Sequence, residues 1–269
     1  MSTARIGGTA VGYDDEGSGD PLVLVHGHPF DRTMWRPQVE RFSQAGWRVI
    51  APDLRGYGET PVSGDKTPLE TFARDVAGLL DHLGVGEVVL AGLSMGGQIA
   101  MEFHRLFPER LRGLVLADTS PRAETEEGRR ARNEAADRLL REGMGPSAEE
   151  LLPRMVAPRT IAELPEVAEH VMRMMRGTSP QGAAAALRGR AERPDYVEML
   201  TRVAVPVLVV VGTEDDFTPV SEAELIRDQV PDATLAVVEG AGHMPNLERT
   251  AEFDAALDGF LARLQRVAA

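Results

Sequence analysis

Short runs of consecutive apolar, mostly β-branched residues punctuate the chain at Leu22 to Val25, Arg48 to Ala51, Val88 to Ala91, Leu114 to Ala117, Val205 to Val211 and Leu235 to Val238. Runs without polar alternation read as strands covered on both faces, the condition of a parallel sheet. Between them, apolar residues recur at three- and four-residue spacing over Leu69 to Leu83 and Gln98 to Phe107, and Pro108 stops the second stretch. That spacing predicts helices. Strand and helix in alternation predict an α/β fold with a doubly wound, mostly parallel sheet. Gly7-Gly8, between Arg5-Ile6 and Thr9-Ala10-Val11, predicts an opening hairpin.

From about Pro121 to Arg202 the strand signal stops. Ala, Glu, Arg, Leu and Met dominate there, punctuated by Pro146, Pro153, Pro158, Pro165, Pro180 and Pro194. The pattern predicts an all-helical insert over 121–202, with 1–120 and 203–269 forming the sheet-bearing core. Inserted where parallel strands end at their C-termini, such a segment would cap the ligand crevice. Its Met144, Met155, Met172, Met174, Met175 and Met199 suit an adaptable apolar roof, and equally suit the insert's own core.

Composition narrows the class. The 269 residues are 43% hydrophobic and 26% charged, which excludes a disordered or fibrous chain. Lys+Arg 29 against Asp+Glu 42 leaves a formal charge of −13, and no basic stripe offsets it, so nucleic acid is not an expected partner. Cys is 0, which excludes disulfides, thiolate metal sites and a cysteine nucleophile. The first residues lack a basic start followed by an apolar run, and no segment approaches the ~18 apolar residues of a membrane span. A cytoplasmic location and no membrane association are expected.

The segment VVLAGLSMGGQ, Val88 to Gln98, places Gly92-Leu93-Ser94-Met95-Gly96 between a buried strand and an amphipathic helix. This is the nucleophile-elbow pattern in the context it requires. A serine there sits in a strained strand-to-helix turn, and the two glycines lack the Cβ atoms that would collide. A serine hydroxyl needs a neighbouring imidazole to remove its proton. His243, in the Gly-rich loop Glu239 to Pro245 after the last strand, is the candidate; His82, His104 and His170 lie inside helical stretches. The imidazole in turn needs a carboxylate, and Glu214, Asp215 and Asp216 follow the strand ending at Val211, while Asp118 ends another. The order Ser, acid, His is that of α/β-hydrolases.

With His26-Gly27-His28-Pro29 after the first long strand, Pro52-Asp53-Leu54-Arg55-Gly56-Tyr57-Gly58 after the next, and the closing Gly240-Ala241-Gly242-His243, the chain resembles the α/β-hydrolase fold superfamily, serine-nucleophile branch, over nearly its whole length. The resemblance implies Asp215 as the acid, from a Gly-x-x-Asp-x-x-x-Pro stretch at Gly212, Asp215 and Pro219. It also implies an oxyanion hole from the backbone amides of Met95 and His28. Most relatives carry an aromatic residue at the His28 position, so this chain departs from the pattern there. Phe30, Trp35, Met144, Phe217 and Met244 are expected to line the substrate pocket.

The implied activity is cofactor-independent hydrolysis of carboxylic ester or lactone bonds in a small, largely apolar substrate. Alternatives are a perhydrolase of the cofactor-free haloperoxidase kind, for which Pro29 after the oxyanion residue is suggestive, an enol-lactonase, and a non-catalytic ligand receptor on the same fold. No metal is expected, because His26-x-His28 has no further ligand cluster at zinc-enzyme spacing. Asp53 and Arg55 are expected to order their loop, with Arg55 bonding carbonyls. Arg129, Arg130 and Arg132, interleaved with Glu126, Glu127 and Glu134, read as a solvated helix face.

Overall fold

The computed structural model describes residues 2–268. Strands β1 (Ser2–Ile6) and β2 (Thr9–Gly17) pair antiparallel across Gly7-Gly8, as the hairpin signal predicts. The apolar runs become β3 (Asp20–Val25), β4 (Trp47–Pro52), β5 (Val88–Leu93), β6 (Leu111–Ala117), β7 (Val207–Gly212) and β8 (Ala233–Val238). One sheet holds all eight in the order β1-β2-β4-β3-β5-β6-β7-β8. Strands β3 to β8 run parallel, and β2 alone is reversed, pairing antiparallel with both β1 and β4. β7 starts two residues later than its apolar run because Pro206 has no N–H to give the ladder; its carbonyl still accepts from the Leu114 amide at 3.1 Å.

In β3 to β7 the continuous apolar runs are explained by burial on both faces, whereas β8, at the sheet edge, is only partly covered, with Val237 47% exposed. In β3, Val23 and Val25 join a core with Ile50, Leu90, Leu114 and Val209, whereas Leu22 and Leu24 join one with Val49, Val89, Val115 and Val210. Alternate residues point to opposite sides. Helices α2 (Leu69–His82) and α3 (Met95–Leu106) cover the first face through Phe72, Leu80, Ile99 and Phe103. Helix α1 (Arg36–Gln44) covers the second through Val39 and Phe42, joined there by Phe253, Leu257 and Phe260 near the C-terminal end.

The segment between β6 and β7 contains only helices among the described residues: α4 (Glu126–Glu142), α5 (Met144–Met155), α6 (Pro158–Glu163), α7 (Pro165–Gly177), α8 (Pro180–Ala191) and α9 (Val197–Leu200). Helices α10 (Val220–Gln229), α11 (Pro245–Glu248) and α12 (Thr250–Ala268) complete the chain. Helix α8 lies hard against the loop after β4. A Cβ added to Gly182 would meet the Gly56 carbonyl oxygen at 1.9 Å, and one on Gly189 the Thr67 carbonyl oxygen at 1.8 Å. These absent side chains let the insert approach the strand C-termini. No helix among the described residues is long and apolar enough to cross a membrane.

Candidate active site

Ser94 links β5 to α3 with φ 57° and ψ −114°, a conformation that costs an L-residue on the order of 1–3 kcal/mol. The neighbouring glycines make it sterically feasible: a Cβ on Gly92 would lie 2.1 Å from the Gly96 carbonyl oxygen, and one on Gly96 would lie 2.2 Å from that of Val25. The turn is tied down by Ser94 N–H donating to Ala117 O at 2.8 Å and by the Thr119 hydroxyl donating to Ser94 O at 2.7 Å. The first helical bond runs from Gln98 N–H to Ser94 O. The Met95 amide therefore stands free at the positive end of α3, next to the serine.

His243 reaches the same place from the loop after β8. Its Nδ1 lies 2.8 Å from Asp215 Oδ2, and its backbone N–H donates to Met155 O at 3.1 Å, fastening the loop to α5. The other Asp215 oxygen accepts from the Phe217 amide at 2.7 Å. Burial alone would raise the Asp215 pKa, but His243 and the amides of Phe217 and Thr218 outweigh it and hold the carboxyl below its ordinary value. Asp216 points away, 63% exposed, and Arg154 is 4.0 Å from it. Ser94, His243 and Asp118 all line one cavity of about 590 Å³ between the strand C-termini and the helical insert, together with His28 and Pro29.

Asp118 stands beside Asp215 at positive φ, 44°. Its Oδ1 accepts from the Gly212 amide at 2.9 Å, and no donor reaches its buried Oδ2. Burial and the Asp215 charge push the Asp118 carboxyl well above the usual range. Two adjacent buried carboxyls do not readily both ionise, and the opposite directions of the two shifts favour the proton on Asp118 and the charge on Asp215. Asp118, Asp215 and His243 bring ligand-type atoms within 4.8 Å of one another, but a metal there would displace the His243–Asp215 hydrogen bond. In His26-x-His28, both His26 nitrogens are engaged: Nε2 accepts from the Leu54 amide at 3.0 Å and Nδ1 lies 2.8 Å from Gly27 O.

Several expected positions are corrected. Met144 and Phe217 line the cavity, and Phe217 packs 5.0 Å from the His243 ring. Phe30, Trp35 and Met244 do not; each is 0% exposed in the core around α1 and α12. The 3-10 turn Arg32–Trp35 rolls Trp35 onto Phe253, with ring centroids 5.9 Å apart. The Met244 backbone is instead held by Glu248 at 3.0 Å. Of the insert's methionines only Met144 and Met155 face the cavity, while Met174 and Met175 are core. Arg55 makes a bidentate pair with Asp75 and bonds Thr9 and Ser63 rather than carbonyls.

Arg132 is not on a solvated face. It lines the cavity with Arg190, Arg193 and Glu124, together with Leu139, Met144, Leu151 and Met155, so the roof, expected to be apolar, carries charged groups as well. Glu124 receives hydrogen bonds from Arg132 and Arg193. Burial raises its pKa, but the two guanidinium groups more than reverse this and hold it down at about 2. Glu124 therefore lends stability that is complete above the unfolded carboxyl pKa of about 4.3 and is lost as pH falls from there towards its folded value. The melting-temperature gap between wild type and Glu124→Gln, measured by scanning calorimetry, is expected to be constant above about pH 5.5 and to close progressively below about pH 4.

The buried Glu248 escapes sequence reading. It accepts from Ala157 N–H and the Thr160 hydroxyl, each at 2.7 Å, and so ties the loop after His243 to the insert. Its position in a short polar stretch gave no signal. Arg190 escapes it too, because α8 offers two arginines and Arg188, bound to Asp137, is the one left partly exposed.

Residues 20–250 match the model of the alpha/beta hydrolase fold family. A thermophilic esterase from Thermogutta terrifontis, solved with malate bound, is 39% identical, with TM-score 0.96 over 98% of this chain and 99% of that one. The enol-lactonase of Burkholderia xenovorans is 26% identical with TM-score 0.91 over 97% and 100%. 3-Oxoadipate enol-lactonase 2 of Acinetobacter baylyi is 28% identical over 94% of each chain. The match across most of the chain, on a sheet of this order with these turns, makes the protein a hydrolase of the alpha/beta hydrolase fold family.

Proposed function

We propose that the protein is a serine hydrolase cleaving carboxylic ester or lactone bonds of small substrates through an acyl-enzyme. The observation that carries this reading is the 2.8 Å bond from His243 to Asp215, in the cavity that Ser94 also lines from its strained turn. Ser94 attacks the carbonyl while His243 takes its proton, and Asp215 fixes the imidazole tautomer and stabilises the cation that forms. The Met95 and His28 amides, neither with a partner among the described residues, donate to the developing oxyanion. His243 then protonates the leaving group and activates the water that resolves the acyl-enzyme. Hydrolysis of this kind needs no cofactor.

Among the described residues no hydrogen bond joins Ser94 to His243; a nucleophile and its base commonly close up only as substrate aligns them. Peroxide is a second nucleophile this scheme accommodates, because Pro29 lines the cavity beside His28. A fluorophosphonate ester tests the nucleophile directly. One adduct per chain is expected by intact-mass spectrometry, mapped by peptide digestion to Ser94 and absent from folded Ser94→Ala. An unlabelled wild-type protein, or an adduct elsewhere, would overturn the reading.

A further inference from the structure

The cavity carries a cation that none of the proposed chemistry uses. Arg190, 8% exposed, sits near the C-terminal end of α8 and lines the cavity. Its Nε donates to Gln98 Oε1 at 3.1 Å. Among the described residues no carboxylate pairs with it, and its terminal nitrogens have no protein acceptor. The other cavity arginines differ: Arg138 pairs with Glu142 and Glu150, Arg132 and Arg193 share Glu124, and Arg154 lies over the Phe217 ring, 4.0 Å from Asp216. Arg132, Arg190 and Arg193 together thus face a single carboxylate. Burial, then repulsion from Arg132 and Arg193, drives the Arg190 pKa well below its ordinary value. A buried guanidinium left in this state is expensive, and an anion arriving in the cavity would relieve it.

His28 adds a directed donor to the same wall. Its Nδ1 lies 2.7 Å from the Tyr57 hydroxyl. Tyr57 is buried and neutral, its pKa raised by burial, and its proton has no other acceptor among the described residues. Tyr57 therefore donates to Nδ1, which leaves the proton of the neutral imidazole on Nε2. Burial and the charges of Arg190 and Arg132 keep the ring neutral. Nε2–H has no partner among the described residues, and His28 lines the cavity. The close approach of α8 to the loop carrying Tyr57, set by Gly182 on Gly56, brings this ring and Arg190 to one wall.

We propose that Arg190, with Arg132 and the Nε2–H of His28, forms a carboxylate subsite, so that the preferred substrate is an ester or lactone carrying a free carboxylate. A planar guanidinium matches the two oxygens of a carboxylate, and the apolar lining of Leu139, Met144 and Leu151 takes the carbon chain. This deepens the serine-hydrolase reading, but binding to the subsite does not depend on turnover.

Two measurements separate the claims. Glutarate and its neutral diamide are titrated by calorimetry into Ser94→Ala protein, and monomethyl and dimethyl glutarate are compared as wild-type substrates by pH-stat. Glutarate is expected to bind and the diamide not, and monomethyl glutarate to be preferred at least tenfold in kcat/KM, mainly through KM. Arg190→Gln should weaken glutarate at least tenfold and remove the monoester preference, with Arg190→Lys intermediate. Arg132→Gln and His28→Phe should weaken it less, and they carry the test if Arg190→Gln does not fold. Glutarate that fails to bind, or binds equally to folded Arg190→Gln, overturns the subsite. Glutarate binding without hydrolysis of any ester by wild type would leave the subsite standing and overturn the serine-hydrolase reading instead.

Discussion

Ser94→Ala and His243→Ala are each expected to lower kcat for a p-nitrophenyl ester by on the order of 10⁴- to 10⁶-fold, while far-UV circular dichroism stays that of wild type. In barrier terms this is about 5 to 8 kcal/mol. The loss is large because each residue is useless without the other: Ser94 has no base of its own, and His243 has no hydroxyl to activate. For the same reason the double variant should be scarcely worse than either single one, since groups that act as a unit are far from additive. A residual rate of about 10³-fold over water is expected from the amides of Met95 and His28, which neither substitution touches. The fold should survive, because the turn is held by the backbone bonds of Ser94 to Ala117 and Gln98 and by the Thr119 hydroxyl on its carbonyl. Ser94→Ala protein retaining more than about a tenth of the wild-type rate would sink the nucleophile assignment.

The sheet was legible because strands buried on both faces need unbroken apolar runs, and such runs mark where the strands lie. Pro206 shortened β7 by removing a donor, while the other strands run one to three residues beyond their apolar stretches because ladder pairing does not need an apolar side chain. The Ser94 turn was legible for a similar reason: a backbone this strained and this crowded leaves glycine as the residue that fits at positions 92 and 96. The pocket wall was much less so. Trp35 and Met144 are both large and apolar, and nothing in their neighbourhoods tells which meets the cavity; that is decided by how the turn at Arg32 and helix α5 are rotated in three dimensions. Arg132 misled for a related reason. Its charged neighbours along α4 are exposed, but its partner Glu124 lies before the helix and Arg193 lies after α8, so the cluster forms only when the insert folds back on itself. Arg190 was not legible either: Arg188, two residues away in the same helix of alanines and glycines, stays partly exposed and pairs with Asp137, so only the packing of α8 decides which guanidinium is buried.

The acid is the place where three neighbouring side chains and one distant one compete, and substitution should rank them. Asp215→Asn is expected to reduce kcat by about 10³- to 10⁴-fold, because an amide facing His243 Nδ1 favours the wrong tautomer and no longer stabilises the imidazolium. Asp216→Asn should change kcat by less than about threefold, since an exposed side chain outside a packed or bonded feature contributes little; its carboxylate is 63% exposed and turned towards Arg154. Asp118 is the more searching comparison. If it is neutral beside Asp215, its amide isostere keeps both the shape and a donor, and Asp118→Asn should cost less than about tenfold, whereas Asp118→Leu should cost more by removing the group that shares the buried site. An ionised Asp118 serving His243 would instead make Asp118→Asn as damaging as Asp215→Asn. The double variant Asp118→Asn/Asp215→Asn closes the argument: activity well below that of Asp215→Asn alone would mean that Asp118, freed of its charged neighbour, ionises and takes over the imidazole when Asp215 is lost. Equal activity of the two would mean that Asp215 is the one carboxylate His243 can use.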